Sequence, residues 1–199
     1  LGYREHNLRL FQAGYAMDPL SYWAVANLGT QLDTLGRHTE APHYLDALPG
    51  LDDKPNPVTD AMRWRNAVWR HDLAGARDIA ARMPDSFARK PLYLAFSAAL
   101  ADPACWPHAL AELRSAQAAS DEPLALQLQA PHPDETMALR VFGQAGQFDG
   151  KLLWVPEYAA IRQAPAFSAF LRRTNTLAYW NANGWPPQCK PDSDGARCN

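Results

Sequence analysis

The chain has 199 residues, 47% of them hydrophobic and 20% charged, with a formal net charge of −2. That length buries a continuous core and leaves room for one domain or two. The two signs of charge are interspersed, which argues against direct nucleic-acid contact by this segment, and no apolar run approaches the roughly 20 residues that span a bilayer.

The chain opens at Leu1 with no Met, charged leader or apolar signal core. It reads as a segment of a longer polypeptide whose anchor or export signal lies upstream. Ala and Leu are abundant, β-branched residues are sparse, and most of the 17 prolines fall between apolar-periodic stretches. A missing N–H and a fixed φ make such prolines helix boundaries, so the composition predicts an all-α fold.

In chain order, the first helix is expected over Arg4–Met17. The segment Tyr22 to Ala41 then reads YWAVANLGTQLDTLGRHTEA. It predicts a helix over Tyr22–Leu35, a turn at Gly36 and a second helix over Glu40–Leu48. Here Gly29 permits close helix approach and Ala41 is a small packing residue. Asn27-Leu28-Gly29, Leu32, Leu35-Gly36-Arg37 and Glu40-Ala41 together resemble the first helix, turn and second-helix start of a tetratricopeptide repeat. With Tyr22 as repeat position 1, Pro19 and Phe11 fall at second-helix positions of a preceding repeat. Val58–Arg70 and Leu73–Met83 form the next hairpin, with Trp64 at the glycine position and Ala76 at the small one. Pro91–Ser120 follows, with Tyr93, Ser97, Leu100 and Ala109 at matching places. Gly29, Trp64 and Ser97 are thus 35 and 33 residues apart, close to the 34-residue period of this repeat. Residues Asp121–Pro133 read as a break, and Asp134–Gln144 as a further helix ended by Gly143 and Gly146.

The tail contains Leu153-Trp154-Val155-Pro156, then Ala164-Pro165-Ala166-Phe167 through Leu171, then Tyr179-Trp180 and Gly184-Trp185-Pro186, ending at Cys189. This order resembles the tail that closes the tetratricopeptide regions of membrane-anchored winged-helix transcription regulators (the CadC/ToxR-like architecture) and of some adenylate cyclases. Phe170 stands at a Leu position and Thr174-Asn175-Thr176 replaces a Gly-containing turn. The resemblance implies a right-handed α-solenoid, with helical repeats over 1–150 and capping helices with a Cys-stapled tail over 151–199. Trp154, Tyr179, Trp180 and Trp185 are expected to pack as the cap that seals the last repeat's apolar face.

Of the three cysteines, Cys189 and Cys198 flank the polar turn-forming segment KPDSDGAR. A bridge between them would staple a segment with few apolar residues and would point to an oxidising compartment, consistent with the periplasm. Two reduced thiols in a cytosolic tail is the alternative. Cys105 stands alone and is expected to be buried in the third repeat.

The sequence carries no P-loop, dinucleotide turn or nucleophile elbow. Cys105-Trp106-Pro107-His108 lacks the second Cys that redox or haem attachment needs, and the six histidines have no metal-ligand spacing. The histidines read as solvated or capping residues whose protonation could tune a pH response. No catalytic residue, metal or cofactor is expected.

The resemblance implies that first-helix side chains not packed inward line a concave groove. That nominates Trp23, Asn27, Thr30 and Arg65, with Val58 beside them, as partner-binding residues, with Trp23, Asn27 and Arg65 at least partly exposed. Asn27 would bond a peptide backbone and Arg65 would supply a counter-charge for a carboxylate. Trp64 and Trp69 read equally as core. Leu28, Leu32, Leu45 and Ala76 are assigned inward. The expected function is that of a non-catalytic extracytoplasmic sensor or docking domain of a membrane-bound regulator, with a free-standing envelope adaptor as the alternative. The expected partners are a protein or peptide, a small-molecule signal, or a second copy.

Overall fold

The structure, a computed structural model, describes residues 2–51, 55–118 and 152–199. The expected break at Asp121–Pro133 and helix at Asp134–Gln144 lie outside them. Seven helices precede that region: α1 (Arg4–Met17), α2 (Tyr22–Thr34), α3 (Pro42–Leu45), α4 (Pro57–Trp69), α5 (Leu73–Arg82), α6 (Lys90–Ala101) and α7 (Trp106–Ala118). After it come two 3-10 turns, Leu152–Trp154 and Pro156–Tyr158. They lead into α8 (Ala159–Gln163), α9 (Pro165–Arg173) and α10 (Thr176–Asn183). The chain is therefore mainly helical. None of the described helices is long and apolar enough to cross a membrane.

Local chemistry sets the helix starts. The Ser21 hydroxyl accepts from the Ala24 amide ahead of α2, Asn56 accepts from Val58 with Pro57 in the first turn of α4, and Asp72 accepts from Gly75 ahead of α5. Each satisfies an N–H that the helix cannot pair internally. Gly36 ends the turn after α2 with φ +74°, a left-handed conformation that glycine adopts without a Cβ penalty.

Consecutive helices pack on one another from α1 to α3 and again from α4 to α7, and α3 meets α4. Gly29 on α2 faces Tyr44 and Leu45 of α3 at close range. A Cβ there would lie 2.6 Å from Leu45 Cδ2, so the absent side chain is what admits the contact. Leu28, Leu32, Leu45 and Ala76 are all buried. One apolar cluster joins α1, α2 and α3 through Leu8, Val25, Leu28 and Leu45; a larger one runs from Trp64 on α4 to Cys198.

Three expectations need correction. The second helix of the first hairpin covers only Pro42–Leu45, followed by a 3-10 turn at Leu48–Gly50, rather than Glu40–Leu48. Pro42 sets its start, and Pro49, which has no N–H and disfavours helical geometry in the residue before it, stops its extension. The all-α expectation omits a short hairpin in the tail: β1 (Cys189–Asp192) and β2 (Gly195–Cys198) pair antiparallel, with Cys189 opposite Cys198. Their sulfurs lie at bonding distance, 2.03 Å. Tyr179 is not part of the aromatic core, being 43% exposed, whereas Trp154 and Trp180 are buried.

The tail also reaches back to the start of the chain instead of sealing only the last helices. Tyr3 Oη donates to the Gly184 carbonyl, Gln188 Nε2 donates to the Gly2 carbonyl, and Arg4 Nη1 donates to the Trp154 carbonyl at 3.2 Å. Arg162 holds the tail's own bend, donating from Nη1 to the carbonyls of Leu153 (2.6 Å) and Val155 (2.8 Å). Burial lowers its basicity to about 10, so it is still charged at neutral pH. Those donations give the charge acceptors that water would otherwise supply.

Candidate functional site: a charged seam between the first turn and the cap

The four nominated groove residues do not share one open face. Trp23 is 66% exposed, and Asn27 beside it is half-buried, donating its amide to the Trp23 carbonyl at 2.8 Å. Thr30 and Arg65 are each only 6% exposed, which corrects their assignment to a free surface. Thr30 lies on the face of α2 whose Tyr22 and Asp33 bond to Thr59 and Asn66 of α4, in a run from Leu28 to Thr34 that is buried throughout. Arg65 sits 5.3 Å from the Trp69 ring, in the electrostatic neighbourhood of Tyr93, Tyr158 and Asp33. Tyr158 belongs to the cap.

Beside Arg65 the structure assembles a cluster that sequence reasoning did not nominate. His38, in the turn between α2 and α3, lies between two carboxylates. Its Nδ1 is 3.0 Å from Asp33 Oδ1 and its Nε2 is 2.9 Å from Glu157 Oε1, in the cap. Asn66 on α4 donates through Nδ2 to both Asp33 Oδ1 (2.7 Å) and the His38 carbonyl (2.9 Å). Arg70 Nε in turn donates to Asn66 Oδ1 at 2.9 Å. The Trp69 ring covers the imidazole with centroids 5.4 Å apart. Pro156 approaches so closely that a Cβ on Gly36 would lie 2.9 Å from its Cγ. Three parts of the chain therefore meet here: the turn between α2 and α3, α4, and the tail segment Pro156–Tyr158.

The electrostatics follow from that geometry. Carboxylates only accept hydrogen bonds, so two of them can be held by one imidazole only when both ring nitrogens donate. Burial works against the charge on His38, but the bonds to Asp33 and Glu157 outweigh it and raise its pKa from 6.5 to about 9. Burial pushes the Asp33 carboxyl up, opposed by the hydrogen bonds from His38 and Asn66 and by the charge of Arg65. Between Asp33 and His38 the proton stays on the imidazole, the more basic group and the one facing two anions. Around the seam, Asp33 Oδ2, Glu157 Oε2, Arg65 Nε and Trp69 Nε1 are buried with no hydrogen-bond partner among the described residues.

An aspartate on a histidine resembles the orienting half of a hydrolase triad. Here the second ring nitrogen, which would have to accept a nucleophile's proton, is taken by Glu157, so the arrangement acts as an electrostatic clasp. Among the described residues, no group of three His, Cys, Asp or Glu side chains could hold a metal ion. Cys105, expected to be buried, is half-buried and unbridged.

Sequence reasoning placed His38 among the solvated or capping histidines. A local signal existed, since Asp33 and His38 flank the Gly36 turn, and Asn66 lies 33 positions beyond Asp33, about one repeat period. Glu157 is 119 residues from His38 and had no such signal. No protein-family model, curated protein or solved structure matches the chain.

Proposed function

We propose that the chain is a tetratricopeptide-type interaction module, serving as the extracytoplasmic sensing or docking part of a membrane-bound signalling or transcription regulator. The observation that carries this reading is an apolar rim at the α1–α2 corner: Met17 is 87% exposed, Leu20 76% and Trp23 66%. An exposed Trp flanked by flexible apolar side chains is the composition of a protein-binding hot spot. Three further features support it. Gly29, Trp64 and Ser97 recur at the repeat period, and Trp64 and Ser97 are bonded to each other. The clasp at His38 offers no free base for catalysis. The Cys189–Cys198 pair suits an oxidising compartment such as the periplasm. Binding at the rim would shift helix packing or dimerisation, and an upstream helix would carry the change to an output domain. The partner is a protein or peptide, and nucleic acid is left to other parts of the polypeptide.

The test is a photo-crosslinking side chain placed at Leu20 in cells that make the whole protein. A discrete adduct is expected, lost when Trp23→Ala is added. If neither Met17, Leu20 nor Trp23 gives an adduct when replaced by the crosslinker, the docking reading is wrong.

A further inference from the structure

The His38 clasp has a built-in asymmetry. Asp33 is fully buried in α2 and its Oδ1 also receives the Asn66 amide, so it has nowhere to go. The Glu157 side chain is 26% exposed at the edge of the cap, and His38 is its only hydrogen-bond partner among the described residues. A neutral imidazole has one N–H. Once the ring loses a proton, only one carboxylate can be bonded, and the other meets a lone pair. Asp33 is fixed and Asn66 still holds the backbone of His38, so the remaining N–H stays with Asp33. Glu157 is the side that must leave.

We propose that His38 is a proton-dependent latch, in which loss of its proton frees the Glu157 carboxylate and lets Pro156–Tyr158 move away from the turn between α2 and α3. The inference holds whether or not the apolar rim docks a partner. The charged and titratable groups that bear on His38 are few. Asp33 comes from α2, Glu157 and the buried Tyr158 hydroxyl from the cap, and Arg65 from α4, where it acts on Asp33. Arg70, also on α4, is engaged with Asn66 and lies 3.6 Å from Asp72. On the turn itself Arg37 and Glu40 neutralise each other at 2.6 Å. The two carboxylates dominate, so the latch is closed at neutral pH and opens in alkaline solution.

The test is an NMR titration of the full chain, following the His38 imidazole and the backbone amides of Gly36, Glu157 and Tyr158. The imidazole should titrate at about 9, as the two bonded carboxylates require. The amides on both sides of the seam should move with the same midpoint. In His38→Gln that shared step should vanish. In Glu157→Gln, which removes the second charge and keeps the side chain's shape, the His38 midpoint should fall by roughly one pH unit or more. A wild-type midpoint near the ordinary 6.5 would overturn the latch, as would a seam step that persists in His38→Gln. If His38→Gln does not fold, Glu157→Gln decides: an unmoved His38 midpoint means Glu157 is not held by the charge.

Discussion

Trp64 donates its indole N–H to the hydroxyl of Ser97 at 2.9 Å, and both side chains are buried. The two residues are 33 positions apart in the sequence, and the Ser97 hydroxyl in turn donates a hydrogen bond to the Tyr93 carbonyl at 2.7 Å. Tyr93 closes the contact by meeting the Trp64 ring edge-on at 5.1 Å. One polar chain thus ties α4 to α6 inside an otherwise apolar region. Ser97→Ala strands a buried indole donor with no replacement, and should cost about 1–3 kcal/mol. Urea denaturation of the variant measures it. A cost within about 0.5 kcal/mol, as for a typical surface change, would mean the hydroxyl contributes nothing.

Gly29 makes the opposite point, that a missing atom can be the contact. Gly29→Ala should raise helix propensity by about 1 kcal/mol in isolation. In this fold the added Cβ meets buried Leu45, and over-packing of that kind costs about 1–3 kcal/mol. We expect net destabilisation, partly relieved in the double variant Gly29→Ala/Leu45→Ala relative to the sum of the single changes. Strict additivity would show that α2 and α3 do not press on each other at this point.

What was legible in the sequence follows from how local each signal is. The helices were readable because prolines such as Pro57 act within one turn, and the structure adds caps of the same short range at Ser21, Asn56 and Asp72. The inward register was readable because one helix face repeats. The open face was not, because what covers it comes from elsewhere. Thr30 lies on the face of α2 that meets α4, and Arg65 is equally buried, both only 6% exposed. The β1–β2 hairpin was hidden because its strands are short and polar, with little period-2 signal to read. The His38 site combines both cases, one carboxylate being five residues away and the other in the tail.

The tail hairpin predicts a thiol count. Cys189 and Cys198 are paired and Cys105 is free, so denatured, unreduced protein should show one reactive thiol. Three reactive thiols would remove the main support for an oxidising compartment. Closing a loop of this size is worth about 2–3 kcal/mol on the chain-entropy account. Reduction should therefore lower Tm by roughly 5–10 °C in a chain of this length. Cys198 is fully buried, and the hairpin is fastened by Ser168, which donates to the Ala196 carbonyl at 3.0 Å. Ser168→Ala should accordingly speed reduction of the bridge in native protein, read as the rate of thiol release under a mild reductant.

Trp23 and Leu28 sit on the same helix, one 66% exposed and the other 1%. Their roles should separate cleanly. Leu28 packs in the α1–α3 cluster, so Leu28→Ala leaves a cavity and should cost about 2–5 kcal/mol. Among the described residues the Trp23 ring meets Tyr22 edge-on at 5.2 Å, and most of its own surface is in solvent. Trp23→Ala should change stability by no more than about 1 kcal/mol. If the apolar rim docks a partner, the same change should abolish the adduct from a crosslinker at Leu20, because a central Trp carries a large share of binding energy in such patches. Leu28→Ala, kept below its unfolding temperature, should still form the adduct. The rim assignment depends on that separation of binding from folding. A Trp23→Ala protein that unfolds as readily as Leu28→Ala would place Trp23 in the structure's support rather than at its contact surface.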